Sequence, residues 1–444
     1  MEQNNNYFDI DTYQTGKTAG RPHSQKDNGA FWGGIVVGML GTLLVACVVI
    51  LIVWFAGRGE LKNWGDGNGA SEKSGTKTYS NAKASGFVTD AMIEKINKLV
   101  DTIHNEFYLE EVTDEKLETG LYKGLMEALG DPYSEYYTAD EYENIIQGAE
   151  GIYYGIGAYV SLDKETSLPK IAGVFKNSPA EEAGLRTDDL IYLVDGEETY
   201  GKTLSEVVSR IKGEEYTKVT LTVIRGGEEL DLVATRRRVE NPTVESKMLG
   251  DGMGYLQIAE FDDVTTNQFI TAMEDLYAQG MKGLILDLRA NPGGNLVTVV
   301  QIAQNLLPEG TIVYTEDKEG NRRTYKSKGD HEIRIPLVVL IDGNSASASE
   351  ILAGAIQDYK KGTLVGTTTF GKGIVQTVKP VAKDGSAIKM TISAYFTPNG
   401  RNIHKIGIEP DIECAFDGEL YYDTENPVDT QLEKAKEVLK GLMK

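Results

Sequence analysis

The sequence predicts a mixed α/β fold: an α/β core domain with an inserted, strand-rich domain, a small helical module and one membrane-spanning helix near the N-terminus. Three observations predict it. Buried-strand patterns alternate with helical periods after residue 241, short strands and turns dominate residues 151–238, and residues 31–56 form one uncharged apolar run. With 444 residues, the chain is long enough for two or three domains.

The uncharged run 31–56 predicts a single helix that crosses the membrane. At about 1.5 Å per residue it spans a hydrocarbon layer of roughly 30 Å, and Trp32 and Trp54 lie near its ends, where interfacial aromatic residues belong. Because a short polar tail (1–30) precedes the run and most of the chain follows it, we expect a single-pass protein of the cell membrane. The part of the chain that follows the run is expected on the extracytoplasmic side.

The segment that follows the anchor, 57–85, is rich in Gly, Ser, Lys and Asn and predicts a flexible linker. Inside the apolar run, Leu44-Val-Ala-Cys47 resembles a lipoprotein processing box, so lipidation of Cys47 is an alternative to the uncleaved anchor. Apolar residues continue after Cys47, where a mature lipoprotein becomes polar. We therefore favour the anchor.

Residues 86–150 predict a small helical module. Apolar residues recur at every third or fourth position in two stretches, and Gly130-Asp-Pro132 ends the second stretch. The two stripes consist of Met92, Ile96, Leu99, Ile103 and Phe107, and of Leu117, Leu121, Leu125 and Leu129. We expect both faces to be part of the core, and a contact between two copies of the chain is the alternative.

Residues 151–238 have the pattern of a separate small domain. Its capping and turn signals are Ser178 and Pro179 at a helix start, Gly184 at the helix end and Asp195-Gly196 at a tight turn. A second short helix around 204–211 and a strand over 219–224 follow. This order of elements resembles a PDZ domain of the circularly permuted bacterial type, which binds extended peptides by adding a strand to a sheet edge.

The resemblance to a PDZ domain implies a loop whose backbone amides capture the terminal carboxylate of a peptide. By that resemblance, the loop consists of Tyr153, Tyr154, Gly155, Ile156 and Gly157. The predicted peptide-binding set also includes Lys212, which lies between Ile211 and Gly213 after the second helix. Compared with an arginine, this lysine keeps the positive charge but lacks the planar, two-pronged hydrogen bonding.

Residues 239–415 predict an α/β core domain in which two strands deliver two loops to one edge of a sheet. The strand over 284–288 runs into Arg289-Ala-Asn-Pro-Gly-Gly294, and the strand over 337–341 precedes Asn344-Ser-Ala-Ser-Ala-Ser-Glu350. Ligand sites of α/β sheets collect beyond the carboxyl ends of the strands, and glycines there let backbone N–H groups approach a ligand. For the two glycines, an ordinary tight turn is an equally good interpretation.

The serine cluster has both a structural and a catalytic interpretation. Ser347 and Glu350 form a capping-box pattern at a helix start, which explains the serine without any chemistry. A helix N-terminus also stabilises an oxyanion beside a serine nucleophile. Lys372, between two glycines in an apolar setting, can serve as the base if it is buried, because burial disfavours the ammonium form and leaves a free amine. Taken alone, a surface lysine on a loop is the commoner case. Strand alternation predicts Gln376 on the same face, where it can orient the lysine nitrogen.

From about residue 87 to its C-terminus the chain resembles a carboxyl-terminal processing peptidase, a membrane-anchored or exported serine endopeptidase with an inserted PDZ domain. The motifs that carry the resemblance are Asp131-Pro-Tyr-Ser-Glu-Tyr-Tyr137, 178–196, Leu286-Asp-Leu-Arg-Ala-Asn-Pro-Gly-Gly294, Ser345-Ala-Ser-Ala-Ser-Glu-Ile351, 369–376 and Gly407-Ile-Glu-Pro-Asp411. The resemblance implies that Ser347 is the nucleophile, Lys372 the base and Gln376 the orienting residue. It implies an oxyanion hole built from the N–H groups of Ala348 and of Gly293 or Gly294.

The same resemblance implies polypeptide substrates with accessible C-termini, no metal and no organic cofactor. It implies a homodimer formed through the helical module and the C-terminal segment 416–444. The apolar stripe of that segment consists of Val428, Leu432, Ala435, Val438 and Leu442. Asp358 matches an acidic position common in the family, and we expect a structural role for it.

Composition argues against several classes of binding partner and site. A formal net charge of −22 argues against nucleic acid as a partner, and the four histidines lack a second histidine or cysteine at metal-ligand spacing. The two cysteines do not suggest a disulfide framework. Two other functions are weighed: a non-catalytic, membrane-anchored PDZ scaffold that binds peptides, and a Ser/His/Asp hydrolase that uses His404.

Overall fold

The computed structural model of the chain describes residues 87–444. The predicted tail (1–30), anchor (31–56, with Cys47) and linker (57–85) lie outside the described residues. Between residues 87 and 444, no helix combines the length and the apolar character needed to cross a membrane. The elements of the described part are named in chain order.

The strands are β1 (Glu135–Tyr137), β2 (Ile152–Gly155), β3 (Ala158–Leu162), β4 (Pro169–Val174), β5 (Leu190–Val194), β6 (Glu197–Glu198), β7 (Lys218–Arg225), β8 (Glu228–Thr235), β9 (Arg237–Glu240), β10 (Val244–Met248), β11 (Met253–Ile258), β12 (Gly283–Asp287), β13 (Gly310–Asp317), β14 (Arg322–Ser327), β15 (Leu337–Ile341), β16 (Thr363–Gly366), β17 (Ile374–Pro380), β18 (Ala387–Phe396) and β19 (Ile412–Glu413). The helices are α1 (Asp90–Glu106), α2 (Asp114–Glu127), α3 (Ala139–Glu150), α4 (Pro179–Glu182), α5 (Leu204–Ile211), α6 (Thr265–Ala278), α7 (Leu296–Gln304), α8 (Ala348–Asp358), α9 (Gly418–Tyr421) and α10 (Thr430–Leu442).

The core domain contains a six-stranded sheet in the order β10-β11-β12-β15-β16-β19, in which β10 is antiparallel to its neighbour and the other pairs are parallel. Strands β12 and β15 are buried along their whole length, as expected for central parallel strands covered on both faces. Helices α6, α7 and α8 pack on one face and α10 packs on the other. Because β12 and β15 are adjacent and parallel, the loops after them meet.

A second, antiparallel sheet supplies the lysine side of the core domain. Its order is β1-β18-β13-β14, and β17 pairs with β18. The mixed α/β architecture predicted from the periodic patterns is confirmed, and the predicted strands over 284–288 and 337–341 correspond to β12 and β15.

The inserted domain has its own sheet, β3-β4-β5-β7-β8, with β6 paired to β5, and its own apolar core. The chain enters and leaves it through the antiparallel pair β2–β9. The predicted helix cap is confirmed, since Ser178 Oγ accepts a hydrogen bond from Glu181 N–H at 3.2 Å. The predicted turn is confirmed as well, with φ of 50° at Asp195 and 82° at Gly196. Strand β3 forms an edge of this sheet, next to α5.

The helical module differs from the sequence expectation. Helices α1 and α2 form where the apolar stripes predicted them, but α1 has no buried residue and α2 buries only Met126. Leu99, Leu121, Leu125 and Leu129 are about half exposed. The expectation that these faces are core is therefore wrong among the described residues, because too little of the described structure packs against α1 and α2 to cover them.

The C-terminal helix α10 also uses its apolar stripe differently from the expectation. Ala435 and Leu439 are fully buried against β12, β15 and β16, and Leu432 and Val438 pack at the margin of the same cluster. Of the predicted stripe, Leu432, Ala435 and Val438 thus contact the chain's own sheet, whereas Val428 and Leu442 are exposed. The expected contact between two copies stays a prediction. At the start of the helix, Arg289 joins Asp287 to Asp429 and fixes α10 to strand β12.

Candidate active site

Ser347 lies in a strained turn between β15 and α8. Its backbone has φ 54° and ψ −112°, a conformation that residues other than glycine adopt only when the surrounding structure holds them there, at a cost of about 1–3 kcal/mol. The restraints are visible on both sides of the turn. Ser345 Oγ donates to Leu288 O at 2.8 Å, and the buried Tyr395 hydroxyl donates to Ser347 O at 3.1 Å. The turn is therefore held by residues on both sides of it, in addition to its contacts with the helix that follows.

The carboxylate of Glu350 connects the serine turn to the lysine loop. Its Oε2 accepts from the backbone N–H groups of Ser347 and Lys372, each at 2.8 Å, so these two nitrogens lie at most twice that distance apart. Its Oε1 accepts from Gly371 N–H at 2.7 Å and from the Thr369 hydroxyl at 2.6 Å. The sequence predicted only the capping bond to Ser347; the three bonds to the lysine loop were missed.

Burial raises the pKa of the Glu350 carboxyl, and the Thr369 hydroxyl and the three backbone N–H groups work in the opposite direction. Glu350 is completely buried, and a buried carboxyl group is tolerated only when hydrogen bonds satisfy it. All four bonds come from the two loops that carry the predicted nucleophile and base. The geometry makes Glu350 the common anchor of both.

Lys372 is buried, with 5 % of its surface exposed, in a loop whose flanking glycines are required by close packing. A Cβ at Gly373 would lie 2.5 Å from the backbone nitrogen of His404, and a Cβ at Gly371 would lie 3.0 Å from those of Ile406 and Gly407. These contacts explain the Gly-Lys-Gly sequence. The Nζ atom lies 4.6 Å from the centroid of the Tyr133 ring.

Gln376 lies in β17 directly opposite Thr391 of β18. The register shifts between Val375 and Gln376, so the simple strand alternation used to place Gln376 beside Lys372 is interrupted by a bulge. Gln376 Nε2 donates to Thr391 Oγ1 at 2.9 Å. Its Oε1 is buried and has no hydrogen-bond partner among the described residues, which leaves one acceptor unused in this site.

The glycine loop after β12 packs directly against the serine turn. Ala346 N–H donates to Asn291 O at 3.0 Å, and a Cβ at Gly293 would lie 2.8 Å from Ser347 Cβ. Gly293 has φ 112° and its N–H donates to Asn291 Oδ1 at 2.8 Å, so in this conformation it is engaged within its own loop. Glycine is required here because the loop backbone approaches Ser347 closely, and not merely because the chain makes a tight turn.

Gly294 and Ala348 supply the other predicted oxyanion donors. Gly294 has φ 134° and pairs with Phe261, whose carbonyl oxygen would lie 2.5 Å from a Cβ at this position. Ala348 is the first residue of α8, where backbone N–H groups lack intrahelical acceptors. The structure thus brings Gly293, Gly294, Ser347 and Ala348 together at the carboxyl ends of β12 and β15.

A cavity of about 250 Å³ borders this cluster on the side of Gln376. Its lining combines the apolar side chains of Leu296, Val375 and Ile392 with polar and charged ones, among them Arg322 and Arg323 from β14. Leu296 begins the helix that follows the glycine loop, and Gln376 is the predicted site residue that lines the cavity.

The structure also shows the contacts of Asp358 and His404, the two other residues considered in the sequence. Asp358, whose side chain is 4 % exposed, accepts from Asn399 N–H at 2.8 Å and from the Arg401 guanidinium at 2.5 Å, which supports its expected structural role. His404 packs its backbone against Gly373, and its Nδ1 is buried without a partner among the described residues. The structure gives no contact between His404 and a serine hydroxyl or a carboxylate in the described part of the chain.

The second predicted site lies in the inserted domain, between β3 and α5. A cavity of about 390 Å³ is lined there by Tyr153, Gly155, Ile156, Gly157 and Lys212 from the predicted set; Tyr154 is exposed and does not line it. The Lys212 ammonium lies 5.1 Å from the centre of the Tyr153 ring, and burial lowers the pKa of Lys212.

Helix α3 contributes to the same cavity, which the sequence did not indicate. Asn144, Gln147 and Gly148 line the side opposite the inserted domain. A peptide in this groove would therefore contact both the inserted domain and the helical module. No cluster of three or more metal-ligating side chains occurs among residues 87–444.

Three models of known protein families match successive parts of the chain. The family model of peptidase family S41 matches residues 252–414, a PDZ domain model matches 170–225, and a model described as the activating protease CtpB N-terminal domain matches 54–141. A carboxyl-terminal-processing protease of Synechocystis sp. is 35 % identical over 323 residues, covering 71 % of this chain and 75 % of its own.

Two further relatives show a similar degree of identity. The carboxy-terminal processing protease CtpA of Bacillus subtilis is 35 % identical over 327 residues, which cover 73 % of this chain and 69 % of the relative. A probable CtpA-like serine protease of Staphylococcus aureus is 33 % identical over 379 residues, which cover 84 % of this chain and 71 % of the relative. The likeness thus extends beyond the core domain to the inserted domain and the helical module.

Proposed function

Because the chain belongs to the carboxyl-terminal processing proteases of peptidase family S41, we propose that it is a serine endopeptidase with Ser347 as nucleophile and Lys372 as general base. The single observation that carries the assignment is the carboxylate of Glu350, which holds the backbone of both residues through one oxygen. A glutamate that only caps a helix does not need to accept a hydrogen bond from the backbone N–H of a distant, buried lysine. The arrangement supports a pair of residues that act together.

The proposed reaction proceeds through an acyl-enzyme. The neutral amine of Lys372 takes the proton of the Ser347 hydroxyl as Oγ bonds to the carbonyl carbon of the scissile peptide. The tetrahedral intermediate collapses, the C–N bond breaks, and the lysine ammonium returns the proton to the leaving amine. A water molecule then attacks the ester while Lys372 takes its proton and returns it to Ser347 Oγ, which releases the new C-terminus.

The developing oxyanion is proposed to bind the N–H groups of Ala348 and of a glycine in the loop after β12. Gly294 is the donor we favour, because Gly293 N–H is already bonded to Asn291 Oδ1. Gln376 is proposed to accept a hydrogen bond from the Lys372 amine through its unused Oε1. Removing one hydrogen-bond donor of an oxyanion hole lowers kcat by about 10²–10³-fold.

Turnover of an unstructured protein by the purified full chain tests this function. Ser347→Ala and Lys372→Ala are expected to reduce kcat by at least about 10⁴-fold, whereas His404→Ala keeps activity. Equal turnover by wild type and Ser347→Ala would overturn the mechanism. Loss of activity in His404→Ala alone would favour the histidine-dependent alternative, and no turnover in the wild type would favour a peptide-binding scaffold.

We further propose that the groove between β3 and α5 holds the C-terminus of the substrate. Strand β3 is a sheet edge that can pair with an extended peptide, and the groove offers apolar side chains together with the cationic Lys212. An apolar C-terminal residue with a free carboxylate fits this chemistry best. Amidation of such a peptide is expected to weaken its binding, and equal affinity of the free and amidated forms would contradict the assignment.

Two proposals concern the chain as it exists in the cell. The uncharged segment 31–56 supports a membrane anchor, tested by whether the full chain sediments with membranes and a chain lacking 31–56 does not. The exposed apolar faces of α1 and α2 support a homodimer, tested by sedimentation equilibrium of Leu121→Asp and Leu125→Asp variants. A monomeric wild type would rule out the second proposal.

A further inference from the structure

The loop Asp131–Ser134 of the helical module reaches into the core domain beside the proposed catalytic residues. Strand β1, which follows it, pairs with β18 in the register Glu135 to Lys389. The ammonium of Lys389, whose side chain is 6 % exposed, donates to Glu135 Oε2 at 2.7 Å. These contacts fix the loop against the sheet that also carries Gln376.

Within this loop, the carboxylate of Asp131 accepts several hydrogen bonds. Its Oδ2 accepts from the hydroxyls of Ser134 at 2.6 Å and Thr391 at 2.7 Å, and its Oδ1 accepts from Tyr133 N–H at 3.1 Å. Burial acts to raise the pKa of Asp131, but the hydrogen bonds from Ser134, Thr391 and Tyr133 N–H act in the opposite direction, and the pKa is lowered. Asp131 is therefore ionised at neutral pH.

An ionised carboxylate can only accept, and this decides the direction of every bond that follows. The single proton of the Thr391 hydroxyl must point to Asp131. The Thr391 oxygen can then only accept, so the side-chain atom of Gln376 that faces it must be the Nε2 donor. Gln376 Oε1 is consequently the atom left for a donor elsewhere, and it has no partner among the described residues.

We propose that Asp131 and Thr391 are positioning residues of the peptidase, which fix the side-chain amide of Gln376 with its oxygen available to Lys372. The proposal rests on the Ser347/Lys372 mechanism above and adds the helical module to the active site. The contact of the Tyr133 ring with Lys372 Nζ places the same loop over the lysine. A core domain without this module would therefore retain Ser347 and Lys372 but lose the orientation of Gln376.

A double-mutant cycle in the full chain tests the proposal. Thr391→Val keeps the shape of the side chain and removes its hydroxyl, and we expect it to lower kcat about 10- to 100-fold with little change in KM. Thr391→Ser keeps the hydroxyl and is expected to restore most of the lost kcat. In a Gln376→Ala background, Thr391→Val is expected to cost less than about twofold, because the residue it orients is absent.

Asp131→Asn provides a second variant, whose amide can present either a donor or an acceptor to Thr391. Its kcat is expected to fall in wild type and to be unchanged relative to Gln376→Ala when both substitutions are present. Wild-type kcat in Thr391→Val, or the same loss in both backgrounds, would overturn the positioning role. Failure of the mechanism itself is recognised separately, because Ser347→Ala and Lys372→Ala would then remain active.

Discussion

At the scale of single residues, the site depends on one buried carboxylate as much as on the serine and lysine. Glu350 fixes the backbone of Ser347 and of Lys372 through the same oxygen. Ordinary capping explains only the first of these bonds. The strained backbone of Ser347 is the local consequence, since the turn is held between Glu350, Tyr395 and the glycine loop.

Glu350→Gln is expected to lower kcat by about 10²-fold, because an amide cannot accept from all four donors and the two loops separate slightly. Hydrogen bonds to a charged group are worth about 1.5–3 kcal/mol each, so the free energy of unfolding is expected to fall by roughly 3 kcal/mol. Steady-state kinetics and denaturant unfolding measure the two effects. Glu409→Gln, at an exposed carboxylate of the same domain, is the matched control, and wild-type kcat in Glu350→Gln would contradict this role.

Sequence reasoning could propose the site residues that belong to short local patterns. A serine at a helix start, a lysine between glycines and a glutamine four positions later form short patterns, and their surroundings are as a buried site requires. Asp131 and Thr391 could not be found this way. They are 260 positions apart in the chain, and neither has a periodic or capping signal that points to the other.

At the scale of elements, hydrophobic periodicity and capping residues predicted which helices form. The packing of each helix against its neighbours determines which of its apolar residues are buried. The stripes of α1, α2 and α10 all have helical spacing. Helix α10 meets a sheet that it can cover, so the middle of its stripe is buried, whereas the stripes of α1 and α2 stay largely exposed. Spacing alone cannot distinguish these outcomes, because it describes one helix and not its neighbours. Strand β1, with three residues, is too short to produce a period at all.

The groove between β3 and α5 provides a prediction for an element. Val208 lines the cavity, whereas Val207 beside it is buried in the domain core. Val208→Asp is expected to weaken binding of a labelled peptide with an apolar, free C-terminus by at least about tenfold, because it places a charge in an apolar groove and repels the carboxylate. Fluorescence anisotropy measures the affinity.

Ser209→Asp is the matched control for this experiment, because it adds the same charge to an exposed position of α5. It is expected to bind the peptide with nearly wild-type affinity. If Val208→Asp bound as tightly as Ser209→Asp, the peptide would occupy another surface. The result does not depend on catalysis and can be obtained with the inactive Ser347→Ala chain.

At the scale of the whole molecule, the inserted domain joins the core domain at a buried acidic residue. Asp262 is 3 % exposed and packs against Gly151, where a Cβ would lie 2.8 Å from its Oδ2. The backbone of Asn241, at the exit of the inserted domain, donates to Gly151 O at 2.8 Å. Burial, and then the charges of Glu260 and Asp263, raise the pKa of Asp262 to about 8.

Because of this raised pKa, the stability of the folded chain is expected to fall as the pH rises. Between the ordinary pKa of 3.8 and about 8, the folded chain keeps a proton on Asp262 that the unfolded chain has lost. Stability from this group is complete below pH 3.8 and is lost as the pH rises through about 8. Asp262→Asn is expected to lose less stability than wild type between pH 5 and 8.5, as measured by thermal unfolding. Parallel curves for the two chains would contradict the assignment.

The central claim is that Ser347 is a nucleophile activated by Lys372, and covalent labelling tests it most directly. The purified full chain is treated with a fluorophosphonate at neutral pH, and the modified residue is identified by mass spectrometry of its peptides. We predict an adduct on Ser347 Oγ that forms about 10²-fold more slowly, or not at all, in Lys372→Ala. An adduct on another residue, or an unchanged rate in Lys372→Ala, would contradict the claim.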